Sequence, residues 1–133
     1  MINIIYGLKG SGKTKKIIDK ANWKAASSNG CVLYLTDRAN LSLEVAKEIR
    51  FIDINKYGIG CKETLLAFLK GLLAGNYDIT DILLDGPAKF VKADINDMED
   101  FYNGLEELSD MFKVDFTVTV SVEEVPDYMK KYL

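Results

Sequence analysis

The chain contains no histidine. Mechanisms that need an imidazole base or an imidazole metal ligand are closed to it. Cysteine is scarce: Cys31 and Cys61 stand far apart, and neither sits in a pairing or metal-binding motif. That usage excludes a zinc site and predicts a reduced, cytoplasmic setting. Both cysteines read as packing or helix-end residues. Arginine occurs only as Arg38 and Arg50, which leaves little material for an arginine-bearing lid. With two prolines and no Ser/Gly-rich linker, no domain boundary is visible, and residues 1–133 read as one domain. No apolar run approaches the roughly 20 residues of a membrane-spanning helix. The opening Met1–Tyr6 stretch has no basic flank or cleavage site, so a signal peptide is not expected. Basic residues number 17 against 20 acidic ones, a net charge of −3, so no large positive field favours nucleic acid.

What is present is an ordinary globular composition, 48% apolar and 28% charged, enough for a substantial buried core. Short β-branched or aromatic runs alternate with helical patterns. Ile2–Tyr6, Cys31–Thr36, Asp81–Asp85 and Phe116–Val122 read as strands, with Phe51–Ile54 as a short edge strand. Lys13–Ser28, a segment capped by Asn40 or Ser42 and running through Ile49, Lys62–Ala74 and Asp94–Phe112 read as helices. Pro126 is placed to start a terminal helical turn. This alternation predicts βαβ units: a three-layer α/β/α sandwich around a mainly parallel sheet of four or five strands.

Between the first strand and the first helix stands Gly7-Leu8-Lys9-Gly10-Ser11-Gly12-Lys13-Thr14. It satisfies Gly-x-x-x-x-Gly-Lys-Ser/Thr in full and in the right context. Average residue frequencies give the bare pattern in fewer than about one chain in a hundred. Glycines let successive N–H groups turn inward around a phosphate, and the helix start adds partial positive charge. Some seventy residues downstream, the apolar run Asp81-Ile82-Leu83-Leu84-Asp85 ends in a carboxylate.

On these two segments the chain resembles the P-loop NTPase superfamily, and its opening is similar to the RecA-like and thymidine-kinase-like branches. The resemblance implies a P-loop NTPase fold and a phosphate cradle made of Gly7, Leu8, Lys9, Gly10, Ser11, Gly12, Lys13 and Thr14. It implies Lys13 on the β- and γ-phosphates, and Mg²⁺ held by Thr14 with Asp85 on the metal side. Neither Asn55-Lys56-Tyr57-Gly58 nor Asp85-Gly86-Pro87-Ala88 matches a GTPase motif, so ATP is expected over GTP. Gly86 stands where the similar kinases carry a glutamate, and the zinc-bearing segment of thymidine kinases has no counterpart.

Hydrolysis also needs a group that orients water. Ser121, near the end of the last strand, or Glu123, just after it, would reach the γ-phosphate if that strand lies beside the first. Otherwise Glu123 and Glu124 form a solvated turn. Asp37-Arg38 reads as a turn with a local Asp–Arg pair, or as a contact to a second substrate. Arg50 reads as a strand-flank charge. Trp23 falls opposite the apolar face of its helix. It is expected to pack on a peripheral segment such as Tyr128–Leu133, or else to mark a partner surface. The expected function is binding of Mg²⁺–nucleoside triphosphate with slow or partner-assisted hydrolysis, the helper being another protein or a second copy. The alternatives are a small-molecule phosphotransferase and a non-catalytic nucleotide-binding module.

Overall fold

All five apolar runs join one sheet. The structure, a computed structural model, describes residues 1–133. The strands are β1 (Ile2–Gly7), β2 (Cys31–Thr36), β3 (Arg50–Asp53), β4 (Ile79–Asp85) and β5 (Asp115–Ser121), and their order is β1-β5-β4-β2-β3. Every pairing is parallel. The helices are α1 (Lys13–Ser27), α2 (Lys62–Gly75), the single turn α3 (Pro87–Phe90) and α4 (Glu99–Phe112).

Successive strand residues face opposite sides, and both sides are covered, which is why the strands read as unbroken apolar runs. Val32, Tyr34 and Leu83 pack with Ile17, Ile18 and Ala21 of α1. Leu33, Leu35, Ile82 and Leu84 pack with Leu65, Leu69, Leu73 and Leu105 of α2 and α4. The α2/α4 side carries the larger core, 25 buried residues against eight. The result is the expected three-layer α/β/α architecture, with all strand C-termini on one edge of the sheet.

Three local expectations are corrected. The segment after β2 forms only a 3-10 turn, Ala39–Leu43, rather than a helix through Ile49. The cause is Asn22 on α1, whose side-chain amide accepts from the Ala46 N–H at 2.7 Å and donates to the Glu44 carbonyl at 3.2 Å. Those bonds use the backbone groups that a helix would need. The long helix from Asp94 is broken: Ile95–Asp97 is a 3-10 turn and α4 begins at Glu99. Asp94 accepts from the Asn96 N–H at 2.9 Å, a local turn that competes with helix formation. Trp23 does not meet the C-terminal segment. It is 64% exposed on α1, whereas Met129 and Tyr132 are buried on the α2/α4 side.

The C-terminal turn (Asp127–Tyr132) seals that side through tyrosines. Tyr132 stacks on Tyr102 with centroids 5.8 Å apart and donates to Glu106, and Tyr128 donates to the Ile95 carbonyl. The fully buried Tyr102 hydroxyl has no partner. An unpaired buried hydroxyl costs about 1–3 kcal/mol. Tyr102→Phe should therefore stabilise the fold by about 1 kcal/mol, raising Tm by about 3 °C in thermal unfolding.

Candidate functional site

The site grows out of the C-terminal end of β1. A Cβ at Gly7 would press on the Ser11 side chain, and glycine there lets the following loop fold back over the strand end. Gly10 and Gly12 adopt φ of +84° and +88°, a left-handed conformation that glycine takes without strain. The Ser11 N–H donates to the Leu8 carbonyl at 3.1 Å and closes the loop. Gly12 then starts α1 with no side-chain cap, and no backbone carbonyl accepts from the N–H groups of Lys13, Thr14 and Lys15. The first turn holds no acidic residue, while Lys13, Lys15 and Lys16 crowd it. Cations at a helix start oppose the macrodipole, a cost that an anion bound at this place offsets. The Lys13 ammonium arcs back to the Leu8 carbonyl at 3.1 Å, so it lies over the loop.

The second half comes from β4. Asp85 is buried at the strand's end, on the α1 side of the sheet. Its Oδ1 accepts from the Thr119 hydroxyl on β5 at 2.9 Å. Its Oδ2 accepts from the Tyr34 hydroxyl on β2 at 2.9 Å, and Thr14 Oγ1 lies 3.4 Å away. Burial, and then the Asp85 charge, push the Tyr34 hydroxyl far above its ordinary pKa, so it stays a donor. Asp81, at the opposite end of the same run, is held by Lys24 at 3.3 Å and by Thr80 at 2.9 Å. Of the two aspartates in the run, only Asp85 belongs to the site.

A cation already joins the two halves. Arg38 extends from the end of β2, donates to Thr14 Oγ1, and sits 3.2 Å from Asp85 Oδ2. Arg38 and Asp37 therefore do not pair with each other: Asp37 turns the other way and pairs with Lys89 on α3 at 3.3 Å. The local Asp–Arg pair expected in this turn is corrected accordingly. The hydroxyl and carboxylate that the guanidinium bridges form an all-oxygen donor set suited to Mg²⁺. No group of three acidic side chains converges anywhere, so a Mg²⁺ held by Thr14 and Asp85 would complete its shell with phosphate oxygens and water.

The remaining expected residues are less engaged. β5 does lie beside β1, with Ser121 in register with Gly7. Glu123 follows two residues later, exposed and without a hydrogen bond or ion pair. Arg50 is the exposed first residue of β3, and Cys61 is the exposed residue that starts α2. Tyr34 and Thr119 were not foreseen as site residues. The signal that finds them is register: both are hydroxyl side chains on strands flanking β4, facing the same side as Asp85. A buried carboxylate needs such donors. Neither a comparison with protein-family models nor one with curated proteins finds a match for this chain.

Proposed function

We propose that the chain is a P-loop NTPase relative that binds Mg²⁺–nucleoside triphosphate, ATP in preference to GTP, in the Gly7–Thr14 loop. The observation that carries this reading is the meeting of Thr14 and Asp85 around a bound guanidinium at the mouth of an uncapped, lysine-rich helix start. The placement of β5 between β1 and β4 also agrees with the RecA-like order. In this reading the 8–14 backbone cradles phosphate, Lys13 neutralises the β- and γ-phosphates, and Thr14 and Asp85 hold the metal. The metal, when bound, supplies charge neutralisation at the transferring phosphoryl group.

Turnover in this reading is slow. Gly86 follows Asp85 and offers no base, which leaves Ser121 and the exposed Glu123 as the groups that could orient water. Assistance from a protein partner or a second copy, in a cytoplasmic setting, belongs to the same proposal. No helix of the chain is long and apolar enough to cross a membrane. The test is calorimetric titration of ATP and GTP with and without Mg²⁺. Saturable Mg²⁺-dependent binding of ATP is expected, and no binding up to about 1 mM, a free energy of only about −4 kcal/mol, would overturn the reading.

A second reading, small-molecule phosphotransfer, is favoured by the neighbours Asp37 and Arg38: Arg38 faces Thr14 and Asp85, and Asp37 turns toward Lys89. In that step an acceptor hydroxyl oxygen bonds to the γ-phosphorus. The bond from that phosphorus to the β–γ bridging oxygen breaks, the nucleoside diphosphate leaves with the electron pair, and the hydroxyl proton passes to Asp37. Phosphate release from ATP alone supports hydrolysis. ATP consumption that requires an added hydroxyl compound supports transfer.

A further inference from the structure

Beyond the Asp37-Arg38 turn, a depression of about 410 Å³ opens at the C-terminal ends of β2, β3 and β4. This is the edge at which open parallel sheets bind their ligands, and the volume suits a small molecule. Ile54 and Ile59 contribute apolar wall, while Asp37, Asn55, Lys89 and Lys92 contribute polar groups. Asn55 donates to the Asp37 backbone carbonyl at 2.8 Å and fixes the rim on which the Asp37 carboxylate stands.

Two features of Lys92 bear on the depression and on its test. Lys89 is paired with Asp37, but Lys92 makes no ion pair, so the depression carries an uncompensated positive charge. Its backbone is also in the left-handed region, φ +53°, just after α3, where the Ala93 N–H returns to the Ala88 carbonyl at 3.1 Å. That closing motif ordinarily takes glycine, and a lysine there costs on the order of 1 kcal/mol.

We propose that this depression is a second-ligand subsite for a small hydroxylated anion, with the anionic group on Lys92 and Lys89 and a hydroxyl against Asp37. The inference rests on the phosphotransfer reading for its purpose, but the binding it claims does not require nucleotide. The shared chemistry, an anionic tail plus a hydroxyl, is met by sugar or polyol phosphates and by hydroxy acids.

The test is nucleotide-free titration with glycerol 3-phosphate, ribose 5-phosphate, glycerate and neutral glycerol. The chains are the native protein, Lys13→Ala, Lys92→Asn and Lys92→Arg. Asparagine tolerates the left-handed backbone, so Lys92→Asn removes the charge without adding strain. At least one anionic probe should bind the native chain and Lys13→Ala alike, weaken about tenfold in Lys92→Asn, and recover in Lys92→Arg. Glycerol should not bind. Binding of the phosphates alone identifies a phosphate ester, and equal binding of glycerate identifies a hydroxy acid. Absence of anion binding up to about 10 mM overturns the proposal. Binding that survives Lys92→Asn overturns it too, and so does binding lost in Lys13→Ala, which would place the anion in the glycine loop. Should nucleotide fail to bind while Lys92-dependent anion binding persists, the P-loop reading fails and this one stands.

Discussion

With Lys13 replaced by alanine, Mg²⁺–ATP binding is expected to weaken by about two orders of magnitude while the fold is left intact. In the structure the Lys13 ammonium makes a single hydrogen bond, to the Leu8 carbonyl of its own loop. No carboxylate pairs with it, so its charge is free for an incoming anion. Contacts from one ammonium to two phosphate groups are charge-assisted, at about 1.5–3 kcal/mol each. Losing about 2.8 kcal/mol corresponds to about a hundredfold in Kd. Stability should move by less than about 0.5 kcal/mol, since Lys13 neither fills the core nor satisfies a buried group. Calorimetry with ATP, paired with thermal unfolding, separates the two effects. Unchanged ATP affinity would mean that nucleotide, if bound at all, does not sit in the Gly7–Thr14 loop.

The loop was the most legible part of this protein because its backbone restricts residue type at several positions. Glycine at 7, 10 and 12 answers a steric or conformational demand that the backbone then displays. The strands were legible for a different reason. Burial on both faces demands unbroken apolar runs such as Cys31–Thr36, and such runs can be read without knowing their partners. One helix extent failed to a local turn at Asp94, the other where a side chain from elsewhere took over the backbone's hydrogen bonds. Asn22 does this to the Glu44–Ala46 segment, and neither propensity nor periodicity encodes that contact. The same limit hid the cage around Asp85. Tyr34 lies inside an apolar run and Thr119 in an alternating strand. Only the β5-β4-β2 order puts their hydroxyls on one carboxylate. The sequence also offered Asp37 and Arg38 as each other's partners, whereas adjacent strand-end residues diverge and found separate ones.

Replacing Asp85 by alanine should cost about 3 kcal/mol of folding stability, and this is the largest structural effect expected at the site. The hydroxyls of Tyr34 and Thr119 both point at the Asp85 carboxylate in the interior, and each left without an acceptor costs about 1–3 kcal/mol. Arg38 adds little to that sum, because its side chain is 46% exposed and regains water. Asp85→Asn should cost only about 1 kcal/mol, since hydroxyls can rotate to accept from the amide. Both variants remove the carboxylate proposed to hold Mg²⁺, so both should lose the Mg²⁺-dependence of ATP binding. The asparagine chain, still folded, makes that loss interpretable. Arg38→Gln should act in the opposite direction. The guanidinium spans the same two oxygens, on Thr14 and Asp85, that a metal would require, so Mg²⁺–nucleotide must displace it. A half-exposed ion pair contributes up to about 1 kcal/mol, and removing that competitor should tighten Mg²⁺–ATP binding about fivefold. Titrations over a range of Mg²⁺ concentrations distinguish the outcomes. Tighter binding with a lower Mg²⁺ requirement assigns Arg38 as a counter-ion that competes with the metal for Thr14 and Asp85. Binding weakened about tenfold instead would assign it to the phosphates, and the cation contact seen here would then be the resting position of a nucleotide ligand.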